Sequence, residues 1–128
     1  MGVIQFLACD TPLEDAGDAA DADDMYDFRI TNTGRPGLHD KFTKKRCVSS
    51  LEWVYSERRA AQLIDYIKRQ MHTAEEIELW DVWDNDDFSR TVIQKCRLEA
   101  LSVAVVREVF GLGVYARDRT CFKCVKVI

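Results

Sequence analysis

Apolar positions along the 128-residue chain recur with two different periods, and the switches between them mark out its elements. From Val3 to Cys9 the run is apolar except for Gln5, the pattern of a strand covered on both faces, and Pro12 ends it. Tyr26, Phe28 and Ile30 alternate with polar residues and predict a short second strand before the turn formers Thr33-Gly34-Arg35-Pro36-Gly37. Leu51, Trp53 and Tyr55 again share one face at a period of two. The period then changes: Ala60, Leu63, Ile64, Ile67 and Met71 follow the three-and-four spacing of one helix face, with Arg58, Arg59, Asp65, Lys68 and Arg69 on the remainder. That spacing predicts a helix over 57–71, capped by Ser56 and favoured by the negative Glu57 in its first turn. A longer helix begun at the capping-box pair Ser49 and Glu52 would throw Leu51, Val54 and Tyr55 off the apolar stripe, so residues from 47 onward are read as a strand.

Beyond this helix, Ile77, Leu79 and Trp83 return to a period of two, and Asp84-Asn85-Asp86-Asp87 is a turn leading into a strand over 91–98. Ser102 then caps a second helix, 103–110, with Leu101 placed to staple against Val106 and Gly111 closing the far end. A last strand covers 120–128. Residues 47–128 therefore read β-α-β-β-α-β, and the fold class expected is α+β, a two-layer sandwich with a ferredoxin-like core preceded by two further strands. Both helices are expected on one face of the sheet. The length fits a single domain over 1–128, with a mobile acidic loop at about 13–25 where Asp and Ala dominate.

Charge changes this picture in one respect. The net charge is −4, but residues 1–28 hold eight acids and no Lys or Arg, so the remaining residues carry 14 acids against 18 bases. No apolar run approaches the ~20 residues of a membrane span. Five cysteines, an odd number set mostly within apolar strands, fit free thiols in a reducing cytoplasm. Phe6-Leu7-Ala8-Cys9 lacks a preceding basic residue and a long apolar run, and Phe6 stands where myristoylation prefers Ser or Thr, so neither export nor a lipid anchor is expected.

Few residues point to chemistry. The acids of 14–24 lack the glycine and glutamate positions of an EF-hand. Cys121-Phe122-Lys123-Cys124 has redox or zinc spacing, yet on a strand residues three apart point to opposite faces and cannot converge. Gly111-Leu112-Gly113 follows a helix rather than preceding one, unlike a phosphate loop. The basic run Lys41, Lys44, Lys45 and Arg46 has only Phe42 beside it and is read as solvated or as an answer to the acidic loop, so direct nucleic-acid binding is not expected. No metal or cofactor is expected. His72, Asp81 and Cys96 are the catalytic candidates to inspect, Asp81 because a carboxylate forced into an apolar layer would be a shifted acid or base.

Asp81 shares its strand face with Ile77 and Leu79, while Trp80 shares the other with Glu78 and Val82, so each face carries something awkward. We read Asp81 as lying at the sheet edge in water, and an exposed Trp80 among Glu78, Asp84, Asp86 and Asp87 as the composition of a protein interface. The leading functional expectation is a small cytoplasmic, non-catalytic interaction module. It would bind a protein with a basic surface through these residues and through Asp21, Asp23 and Asp24, an inhibitor or immunity-type protein being its most concrete form. An uncovered sheet face, or an edge strand ending in Cys-Val-Lys-Val-Ile, would also suit a homodimer. The alternative is a small-molecule-binding domain or enzyme with a cleft between sheet and helices.

Overall fold

The structure, a computed structural model, describes residues 3–17, 26–34, 42–83, 90–111 and 121–128. Among these residues seven strands and two α-helices follow in chain order: β1 (Val3–Cys9), β2 (Ala16–Gly17), β3 (Arg29–Gly34), β4 (Cys47–Glu52), α1 (Glu57–Gln70), β5 (Ile77–Trp83), β6 (Arg90–Cys96), α2 (Val103–Phe110) and β7 (Cys121–Val127), with a 3₁₀ turn at Leu98–Ala100. The helix caps are those the sequence predicts. Ser56 accepts from the Arg59 amide and Ser102 from the Val105 amide, while the Gly111 amide donates back to the Arg107 carbonyl.

All seven strands join one sheet in the order β2-β3-β4-β1-β5-β7-β6, antiparallel except for the β6–β7 pair. The ferredoxin-like core expected from residues 47–128 is not found, because β1 enters between β4 and β5, and the described residues hold one strand more than expected. The physical reason lies in β1 itself. Its apolar residues project from both faces, and Phe6, Leu7 and Ala8 lose all exposure only with a strand on each side and a layer above and below. The two crossovers consequently differ: β4-α1-β5 spans a gap filled by β1, whereas β6-α2-β7 joins neighbours.

Both helices lie on one face. Ala60, Leu63, Ile64 and Ile67 of α1 and Val106, Val109 and Phe110 of α2 pack with Leu7, Ile77, Leu79, Val125 and Val127 of the sheet. The opposite face buries Phe6, Ala8, Val48, Trp80, Val82 and Cys124 beneath Ile4 and Phe42. The strand expected around Leu51 ends at Glu52, which leaves Trp53 and Tyr55 past its end, where Trp53 meets Phe28 and Phe110 edge-on. The second strand begins later than expected, at Arg29, and Tyr26 and Phe28 stack ahead of it.

Of the stretch read as an acidic loop, Leu13 and Ala16 are buried and Ala16–Gly17 pairs with β3; residues 18–25 lie outside the described residues. Gly17 has φ +67°, and a Cβ there would sit 1.5 Å from the Phe28 carbonyl oxygen, so this pairing needs glycine. No helix among the described residues is long and apolar enough to cross a membrane.

Candidate functional site

The residues expected to meet a partner are only partly placed: Asp21, Asp23, Asp24, Asp84, Asp86 and Asp87 lie outside the described residues. Trp80 is not the exposed aromatic expected. It is 3% exposed, stacks on Phe6 at 5.9 Å and lies beneath Phe42, because the apolar β1 beside β5 and the segment at Phe42 complete a second core on this face. Its indole N–H donates to Glu78 Oε1 at 2.9 Å, and the Thr43 hydroxyl donates to the same oxygen. Lys126 lies 3.5 Å from Glu78 Oε2. Glu78, 4% exposed, is thus a buried carboxylate that fastens the segment before β4 to the sheet.

Asp81 is not at the sheet edge in water. It is 1% exposed on the helix-bearing face, because β1 and β7 pair on either side of β5. Its Oδ2 accepts from the Gln5 amide at 3.0 Å, and the Gln5 carbonyl oxygen accepts from the Trp53 indole at 2.7 Å. Gln5, the polar interruption in β1, was visible in the sequence, but its partners are 76 and 48 positions away along the chain.

The catalytic candidates do not converge. Cys96 is level with Val127 and so with Ile77, whereas Asp81 stands four residues further along β5, about 13 Å at the ordinary strand rise. His72 is exposed in the turn after α1, and burial followed by the nearby Glu99 pushes the Cys96 thiol above its ordinary pKa, opposite to an activated nucleophile. Among the described residues no three His, Cys, Asp or Glu side chains gather to hold a metal ion.

Two surface features emerge that sequence reasoning did not single out. The first is a polar cleft of about 410 Å³ lined by Cys9, Asp10, Thr11, Lys45, Thr73, Glu75 and Glu76. Lys45 Nζ stands 3.3 Å from Asp10 and 3.1 Å from Glu76. Burial alone would lower the ammonium pKa, but its hydrogen bonds to Glu76 and Asp10 outweigh that and raise it. Burial likewise opposes the Lys45 contact at Asp10, whose pKa ends below its ordinary value. Within the basic run Lys45 therefore answers acids from two other segments, Asp10 and Glu76, while Lys44 and Arg46 are exposed.

The second is the edge that β6 forms among the described residues; the strand ending in Cys-Val-Lys-Val-Ile, expected at an edge, is β7 and lies inside the sheet between β5 and β6. Val92 and Ile93, neighbours that project to opposite faces, are 40% and 52% exposed. Beside them a cleft of about 310 Å³ opens between α2 and the sheet, lined by Val92, Gln94, Glu108, Val109, Lys123 and Val125. Lys123 Nζ donates to the Glu108 carbonyl at 2.9 Å along its wall. The signal in the sequence was the pair Val92-Ile93 itself, apolar on both faces of a strand otherwise built of Arg, Thr, Gln and Lys up to its terminal Cys96.

Compared with protein-family models, with curated proteins and with solved structures, the chain matches none.

Proposed function

We propose that this protein is a non-catalytic interaction module that takes up an extended segment of another protein as an added strand along β6. One observation carries the reading. Among the described residues a seven-residue strand ends the sheet with apolar side chains exposed on both faces, while the opposite end is closed by the two-residue β2. Strand addition satisfies the outer row of backbone groups on such an edge, and alternate side chains of the added strand reach the pocket beside it, here the cleft under α2.

Charge favours another protein over a second copy. Arg90 and Lys95 stand on β6, Arg97 follows, and no acid occurs from 88 to 98. Two copies paired antiparallel about Ile93 would bring only positive charge to the seam, which is destabilising between facing strands. The segment that fits carries acids around apolar residues at alternate positions. This shifts the binding surface away from Trp80 and Glu78, and it keeps the inhibitor or immunity-type role as the concrete form, with the target's own strand as ligand.

The test is capture from a lysate with the wild-type chain and with Val92→Lys and Ile93→Lys, both exposed sites whose variants should keep the far-UV circular dichroism of the parent. A specific partner lost at least tenfold with either variant, whose binding protects β6 amides from hydrogen exchange, supports the reading. Retention of the partner by both variants overturns it. A small-molecule role has one observation in its favour, the convergence of Asp10, Lys45 and Glu76 in the polar cleft. That reading predicts partner capture insensitive to β6 and ligand binding lost in Lys45→Met.

A further inference from the structure

The register of β1 against β4 sets Cys9 directly opposite Cys47. Directly opposed residues of an antiparallel pair project from the same face, here that of Leu7 and α1, with Cα atoms ~4.5–5.5 Å apart and Cβ atoms at a similar spacing. A disulfide needs Cα atoms ~4.4–6.8 Å and Cβ atoms ~3.5–4.5 Å apart, so the backbone is already within range and the Cβ atoms need approach by only about 1 Å. The pair occupies the last rung of its ladder, Cys9 ending β1 and Cys47 beginning β4, where such an approach disturbs no further rung. Both are free thiols. Cys124 belongs to the cluster on the opposite face and Cys96 to the far edge of the sheet, so neither competes for this pairing.

We propose that Cys9 and Cys47 are an oxidation site at which a hydroperoxide closes a reversible cross-strand disulfide. Cys47, half-buried, meets the oxidant first, and Cys9, 2% exposed at the floor of the polar cleft beside Thr11, resolves. The Cys47 thiolate attacks one peroxide oxygen, the O–O bond breaks, and the leaving oxygen takes a proton and departs as alcohol or water, giving a sulfenic acid. The Cys9 thiolate then attacks that sulfur, the S–O bond breaks, and hydroxide leaves with a proton as water. Two thiols have lost two hydrogens and the peroxide has gained them. An external dithiol reverses the step by exchange. The bridge ties both ends of the segment 10–46, which contains Thr43 and Lys45.

The experiment treats the reduced 128-residue chain with hydrogen peroxide, alkylates it, digests it without reductant and maps the peptides by mass. A linked Cys9–Cys47 peptide pair that dithiothreitol abolishes is the expected result, and this mapping needs no variant. In Cys9→Ala, chosen small and apolar for a buried site, a dimedone-type reagent should instead trap sulfenic acid at Cys47. The proposal is overturned if Cys9 and Cys47 both emerge alkylated, if the bridge joins other cysteines, or if Cys47 passes to sulfinic acid with no bridge.

Discussion

Gln5 is the one polar side chain in β1, and both ends of its amide are engaged, one by Asp81 and one by Trp53. Gln5→Leu matches its bulk but leaves a buried carboxylate oxygen and an indole N–H without this partner, which should cost roughly 2–4 kcal/mol, measured as a lower urea midpoint at unchanged slope. Trp53→Phe removes only the donor and should cost less, about 1–2 kcal/mol. The dilemma these residues resolve was legible: a period of two forces Asp81 and Trp80 onto opposite faces. Its resolution was not, because the groups that satisfy Asp81 and cover Trp80 come from β1, from Trp53 and from Phe42, and sequence separation hides such meetings.

Titration belongs to this scale too. Burial first, then the negative charges of Glu14 and Asp15, push the Tyr66 phenol well above its ordinary value of 10.0, and its hydroxyl donates to the Glu14 carbonyl. Burial first, then Glu78, push the Cys124 thiol above its ordinary 9.0. A raised folded-state pKa contributes stability that is fully present below the unfolded value and is lost as pH rises past it, here from about pH 9 upward. The unfolding free energy from urea titrations should therefore fall through the alkaline range, by up to about 1.4 kcal/mol per pH unit for each group, and Tyr66→Phe should flatten the part of the fall above pH 10.

At the scale of elements, the cap of α1 is the better made: Ser56 Oγ lies 3.1 Å from the Arg59 amide, against 3.5 Å for Ser102 and Val105. Ser56→Ala should lower stability by about 1 kcal/mol and Ser102→Ala by clearly less, compared by thermal unfolding. Local elements were the legible part of the fold. The helix read as 57–71 runs Glu57–Gln70, the second helix matches over 103–110, and the strand of Ile77, Leu79 and Trp83 is β5. Failures fall where tertiary contact overrides pattern. Trp53 and Tyr55 keep the alternation of a strand but lie past β4 in an aromatic cluster, and β2 is too short to leave any periodic trace. The interaction surface followed the same logic, since exposure at Trp80 was inferred from one strand and cancelled by its neighbours.

For the molecule as a whole, the position of β1 decides what folds alone. A chain of residues 47–128 lacks the strand that joins β4 to β5, so it should give a disordered far-UV spectrum and no dispersed amide resonances. A folded fragment would mean that the ferredoxin-like sheet is accessible after all. Phe6 stacks on Trp80, 74 positions later, so the centre of the sheet is assembled from distant parts of the chain. During translation, at roughly 5–20 residues per second, β1 leaves the ribosome about 4–15 s before β5 exists to receive it. Through that interval Val-Ile-Gln-Phe-Leu-Ala-Cys is a greasy nascent segment with nowhere to settle, and ribosome stalling before Trp83 should yield a product that the cell degrades.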